Sequence, residues 1–178
     1  MPEMKRPLLV VAIVCLLGGA KVQEPAAPPR GFRADVLPGL ADAESKLVAL
    51  AEAIPAGKYS WRPSPGVRSI SEVFMHVAGS NYFLLTFVGK QPPAGLSPDL
   101  EKITDKKLVV AELKRSFEYL RASVNGIREK DLEKGVKMFG TNTTQRGVYL
   151  TIVNHLHEHL GQSIAYARMN GIRPPWSD

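Results

Sequence analysis

Four long stretches of this chain repeat apolar residues at spacings of three and four, and each is bounded by proline, glycine or a capping side chain. That spacing places the apolar residues on one face of an α-helix, so most of the sequence is committed to helices that must pack on one another. The first stretch runs from Asp35 or Pro38 to Ile54, with Leu40, Ala43, Leu47, Leu50, Ala51 and Ile54 on one face and Pro55 as its stop. The second runs from Ser69 to Val88. Its Ser69 and Glu72 stand at capping-box spacing, Ile70, Val73, Val77, Leu84 and Phe87 form the stripe, and Gly89 ends it. The third runs from Asp105 to Ile127, with Thr104 as the expected N-cap and Val109, Leu113, Phe117, Leu120, Val124 and Ile127 facing inward. The fourth runs from Thr144 to Asn170, where Gly171, Pro174 and Pro175 prevent continuation. Helices of about 20 to 27 residues, at ~1.5 Å per residue, are roughly 30–40 Å long. Four of them predict an all-α, antiparallel four-helix bundle.

The connections between these stretches are long. Pro55 to Arg68 carries Tyr59, Trp61, Pro63 and Pro65, and Lys90 to Ile103 is also proline-rich. Arg128 to Thr143, with Gly135, Val136, Phe139 and Gly140, has room for a short extended piece. Connections of this kind at bundle ends often shape the mouth of a site. The aromatics Tyr59, Trp61, Phe139 and Trp176 are expected to be buried there, closing the ends of the core.

The first twenty residues have a different character. Lys5 and Arg6 precede the apolar run Pro7 to Leu17, and Gly18, Gly19 and Ala20 follow. This is the layout of a secretory signal peptide, and the run is short of the ~20 residues that span a bilayer. Residues 1–20 are therefore expected to be removed, residues 21–34 to form a flexible leader with several prolines, and residues 35–178 to form the bundle domain. The expected location is periplasmic or secreted, with no stable membrane insertion after cleavage. Cleavage takes away Lys5, Arg6 and Glu3, so the formal net charge falls from +6 to +5, and it takes away Cys15, the single cysteine. That count excludes a disulfide scaffold, a cysteine-rich zinc finger and an intramolecular dithiol site. Any thiol used in chemistry must come from a ligand. The mild positive charge predicts no nucleic-acid partner.

The four histidines carry the functional signal. His155 and His159 differ by about 400°, a net 40°, so they share one face of the fourth helix about one turn apart. Two imidazoles at that spacing can grip one metal ion. His157 points about 200° away from His155 and is expected at the surface. The remaining His76 lies in the apolar stripe of the second helix beside Val73, Val77 and Ser80, where an unpartnered polar ring would be costly. His76, His155 and His159 are thus the candidate metal ligands, leaving positions open for water or substrate. The reading requires the ring of His76 to lie within about 10 Å of the other two, given Zn–N bonds of ~2 Å. Gln162 and Tyr166 continue the face of His155 within about 20°. They are expected to orient a ligand imidazole and to fill a buried hydrogen-bonding position, respectively. Glu158, about 60° off that face, is expected to be solvated.

Three ordered segments resemble the DinB/YfiT-like family of small metal-binding four-helix bundles. They are the linker Ile54 to Ser69, the segment Ser69 to Gly79 that places His76, and the tail from Asn154 in which H-x3-H is followed by G-Q, Y-x-R and G-x-x-P-P. The resemblance covers nearly all of residues 35–176. It implies a divalent metal, zinc or nickel, held by His76, His155 and His159. It also implies activity as a metal-dependent transferase or isomerase that uses a low-molecular-weight thiol as co-substrate. Export separates this chain from cytoplasmic thiol-transferases and leaves metal-activated water open beside the thiol. The expected activity is therefore that of a thiol S-transferase or a hydrolase acting on a small-molecule substrate, with no catalytic base assigned. A non-catalytic exported metal- or ligand-binding bundle is the alternative, and a metal-free bundle with buried histidines is the third reading. Self-association as a homodimer stays open.

Overall fold

In the computed structural model, which describes residues 30–177, three of the four long helices begin on a side chain able to accept from their free amides. Helix α1 spans Phe32–Ala53, α2 spans Ile70–Leu85, α3 spans Lys106–Asn125 and α4 spans Gln145–Met169. At α2 the capping box is complete. Ser69 Oγ accepts from the Glu72 amide at 3.3 Å, and Glu72 Oε2 accepts from the Ser69 amide at 2.6 Å. Thr144 Oγ1 caps α4 by accepting from the Gly147 amide at 3.2 Å. The cap of α3 is Asp105 rather than Thr104, its carboxylate accepting from the Leu108 amide at 3.0 Å. An aspartate one residue closer to the first turn also favours the positive end of the helix dipole.

Helix α1 starts earlier than the expected 35 and takes in residues 32–34 of the expected leader. Phe32 and Val36 extend the stripe of Leu40 by two more steps of four, and both are buried. Pro38 lies inside the helix rather than at its start. The loss of one hydrogen bond at Pro38 is offset by burying those two side chains, roughly 1.5–3 kcal/mol each. Residues 1–29, which include the expected signal segment and most of the leader, lie outside the described residues. No helix among the described residues is long and apolar enough to cross a membrane.

The core is the one the periodicity predicts. Leu47, Leu50, Val77, Leu113, Phe117, Leu120 and Leu156 are fully buried where the four stripes meet. Helices α1 and α3 are antiparallel, as Lys106 Nζ donates to the Ile54 carbonyl at one end and Arg33 to the Asn125 carbonyl at the other. Helices α2 and α4 are also antiparallel, since Ile70 at the start of α2 and Tyr166 near the end of α4 line one small cavity. Helices α2 and α3 run side by side in the same direction, because Tyr82 bonds Glu112 while Gln91, beyond the end of α2, bonds Tyr119. The segment joining α2 to α3 must therefore travel back along the bundle. This crossover is the proline-rich connection of the sequence, and it packs against α2 through a short 3-10 turn, Leu100–Lys102.

The connection before α4 holds a small antiparallel hairpin, β1 (Gly135–Met138) and β2 (Thr141–Thr144), paired from Gly135 with Thr144 to Met138 with Thr141. Its two-residue turn puts both Phe139 (φ 49°) and Gly140 (φ 84°) in the left-handed region that such hairpin turns require.

Candidate metal centre

The site is built where α2, α4 and the crossover meet. Two turns into α2, His76 faces α4, and one turn of α4 presents His155 and His159 back toward it. The Nε2 atom of His155 lies 3.2 Å from that of His76 and 3.1 Å from that of His159. Ring centroids are 5.1 Å apart for His76 and His155, 4.7 Å for His76 and His159, and 4.4 Å for His155 and His159. One ligand atom from each of the three residues lies within 4.8 Å of the other two. His157 points away. It is exposed, and its Nδ1 donates to the Val153 carbonyl at 2.8 Å. Glu158 is exposed as expected.

The far nitrogens of two rings have partners. His76 Nδ1 donates to Glu101 Oε1 at 3.1 Å, and His159 Nδ1 donates to Gln162 Oε1 at 2.7 Å. These bonds place the proton on Nδ1 and leave the Nε2 lone pairs of His76 and His159 aimed inward. A proton on His155 Nε2 can serve one of those lone pairs, but not both. Adding a second proton is disfavoured. His155 is held down to about 4, first by burial and then by the neighbouring His159 and His76. His76 is also shifted down, chiefly by burial and by the Arg68 charge, against the pull of Glu101. Three converging imidazole nitrogens, two of them on rings whose protonation burial opposes, suit a cation that accepts nitrogen ligands. The cluster could hold a divalent metal ion.

The supports extend outward on both sides. Gln162 Nε2 donates to Tyr166 OH at 3.1 Å, and Trp61 packs edge-on against the Tyr166 ring at 5.4 Å. Gln162 and Tyr166 thus take the places expected of them. On the other side, Arg68 Nε donates to Glu101 Oε2 at 3.0 Å, so both carboxylate oxygens of Glu101 are engaged. Glu101 and Arg68 were not expected from sequence. A carboxylate behind a ligating imidazole is a common arrangement, but Glu101 sits in a connection with no helical periodicity to place it.

Of the four aromatics expected to be buried, Tyr59 is, with its hydroxyl donating to the Ala51 carbonyl at 2.6 Å. Trp61 is partly buried, while Trp176 and Phe139 are exposed, Phe139 to 66%. The hairpin turn carries Phe139 outward, against Phe83 and Phe87 at the margin of the core.

Solved structures share this architecture. A DinB-like protein from Bacillus cereus superposes with a TM-score of 0.70 at 17% identity, covering 80% of this chain and 95% of that one. A conserved protein from Enterococcus faecalis gives 0.68 at 15% identity, over 79% and 98% of the two chains. A DinB-like protein from Bacillus subtilis gives 0.62 at 22% identity, over 78% and 93%. At these identities the likeness is one of fold. No curated protein matches the chain in sequence. The family model of the DinB superfamily matches residues 40–163, from the first core leucine of α1 through the three-histidine cluster, and the chain belongs to that superfamily.

Proposed function

We propose that His76, His155 and His159 hold a divalent metal ion, zinc or nickel, and that the protein is an exported metal-dependent enzyme, a thiol S-transferase or a hydrolase. The observation that carries this reading is the convergence of three rings, with His155 Nε2 at 3.2 Å from that of His76 and 3.1 Å from that of His159, and with the Nδ1 protons of His76 and His159 committed elsewhere. A divalent cation there would lower the pKa of a thiol or water and so supply a nucleophile at neutral pH. Glu101 and Gln162 hold two of the rings in one tautomer and orientation. Burial opposes protonation of His155 and His76, which favours the neutral form that ligates. The chain brings no thiol of its own beyond Cys15, so a thiol nucleophile would be a small co-substrate. Export is supported by the order of charged, apolar and small residues in the first twenty.

Elemental analysis of protein purified from its native compartment should find about one metal ion per chain. After cobalt or nickel substitution, addition of a low-molecular-weight thiol should shift the electronic spectrum if the thiol reading holds. A spectrum indifferent to thiol, with an exchangeable water, supports the hydrolase. Protein without metal, and unable to take up cobalt, would overturn the proposal. A metal that exchanges no ligand would leave only a binding or structural role.

A further inference from the structure

Two clefts meet at Glu101. One, of about 600 Å³, lies between α2 and the crossover and runs from His76 to Phe83, walled by Met75, Leu96 and Pro98. Seven residues of helix make that run about 10 Å long. Its outer end is Phe83, whose ring packs on two further rings that lie outside the cleft wall. Phe83 lies 5.5 Å from Phe87 and 6.1 Å from Phe139, and Phe87 lies 5.2 Å from Phe139. Phe83 is 52% exposed and Phe139 66%. Phe139 is held at φ 49°, where a bulky side chain is disfavoured and glycine or asparagine is the usual choice. The chain thus accepts backbone strain to hold an aromatic ring in water, against two others. An exposed apolar cluster beside a cleft offers a surface for the apolar part of a ligand.

The second cleft, of about 540 Å³, is polar and is lined by Arg62, Arg68, Glu72, Glu101 and Gln162. Arg62 is engaged with Glu72 at 3.0 Å and the Val67 carbonyl at 2.8 Å. Arg68 donates through Nε to Glu101. Among the described residues neither of its Nη atoms makes a hydrogen bond. A guanidinium with its fork free is suited to a planar carboxylate. The volumes are those of small-molecule sites.

We propose that the two clefts bind one elongated organic anion, a carboxylate with an unbranched apolar chain. Its carboxylate meets Arg68, and its chain lies along α2 toward the Phe83, Phe87 and Phe139 rings. This assigns a substrate class to the function proposed above and rests on it, because it places the ligand's functional end beside His76.

The test uses octanoate, octanol and acetate as probes, titrated calorimetrically into the metal-free and the cobalt-loaded protein. Octanoate should bind at least about tenfold more tightly than octanol, the worth of one charge-assisted pair, and acetate should bind more weakly than octanoate. Arg68→Met should bring octanoate to the level of octanol, while Arg68→Lys, which keeps the charge, should retain part of the preference. Phe83→Ser, at an exposed position, should weaken octanoate and octanol together. Equal binding of octanoate and octanol, no octanoate binding, or an Arg68→Met variant that binds octanoate as the wild type does would each overturn the proposal. The cobalt spectrum reports on the histidine cluster independently. Octanoate binding without cobalt uptake would sink the metal reading and leave the anion site standing, and cobalt uptake without octanoate binding would do the reverse.

Discussion

Helix α2 carries polar groups into the bundle on two sides, and the two sides treat them differently. Toward α3, Asn81 Nδ2 donates to Ser116 Oγ at 3.1 Å, Ser116 passes its own proton to the Leu113 carbonyl at 2.7 Å, and Tyr82 donates to Glu112 at 3.0 Å. Each of these donors meets an acceptor, and the seam is closed. Toward α4, His76 meets His155 and His159 with more inward lone pairs than protons to fill them. Burial of a polar group is tolerated when its hydrogen bonds are made. The first seam follows that rule within the protein. The second leaves an inward lone pair that no proton of the cluster fills, a place that a cation could take.

The sharpest way to break this contrast is to remove one of the clustered histidines. His155→Ala or His159→Ala should cost metal affinity more than about a hundredfold, beyond what loss of a supporting hydrogen bond costs. His157→Ala should leave affinity unchanged, because that ring points away. Equilibrium dialysis against cobalt measures all three. Equal loss in the three variants would contradict the face assignment.

Next in size are the supports. Glu101→Gln should weaken metal binding about 10–100-fold, because a neutral amide accepts the His76 proton less strongly and loses the charged contact with Arg68. Gln162→Leu should fall at the lower end of that range, since it removes a neutral acceptor from His159. Competition with a chelator of known affinity ranks the two. A Glu101→Gln protein that binds metal as tightly as the wild type would reduce the carboxylate to a surface ion pair.

The closed seam should respond in the opposite currency. Asn81→Ala should lower folding stability by about 1–3 kcal/mol, from a lost buried hydrogen bond and the space left behind, and leave metal affinity alone. Denaturant midpoints and the same dialysis separate the two readouts. A fall in metal affinity at Asn81 would mean that the two sides of α2 are coupled.

The histidine cluster was legible in the sequence because helices obey a fixed angle. His155 and His159 share a face and His157 does not, and the angular count alone separates them. The same count placed Gln162 and Tyr166. The stripes of Val73 and Val77 and of Leu113 and Phe117 named the core for the same reason. What escaped lies where no period operates. Glu101 reaches His76 because α2 and α3 run in the same direction, which forces residues 86–105 back along α2. A stripe of apolar residues says which face is buried but not which way its neighbour runs. Phe139 escaped for a related reason. Hydrophobicity argues for burial, but the two-residue hairpin turn decides where the ring points, and it points outward. The early start of α1 depended on Phe32 and Val36 outweighing Pro38, a balance of packing against local propensity.

The smallest expected effect concerns protons on the metal-free protein. The folded-state pKa of His155 lies at about 4, below its ordinary 6.5, because burial and the two neighbouring rings oppose its charge. Between those values the unfolded chain binds more protons at this residue than the folded chain does, so stability rises with pH through the window. The contribution is fully present above about pH 6.5 and is lost as pH falls through about 4. Glu72, held low chiefly by the Ser69 amide, acts in the same direction through its own capping bond. A simple acid titration therefore does not isolate the histidine. Denaturant midpoints for wild type and His155→Gln at pH 4, 5, 6 and 7 do. The variant should show a shallower loss between 6.5 and 4, and the two slopes should converge above that window. Identical slopes would mean that His155 is as free to take a proton inside the bundle as outside it, and the inward lone pairs would need no cation to explain them.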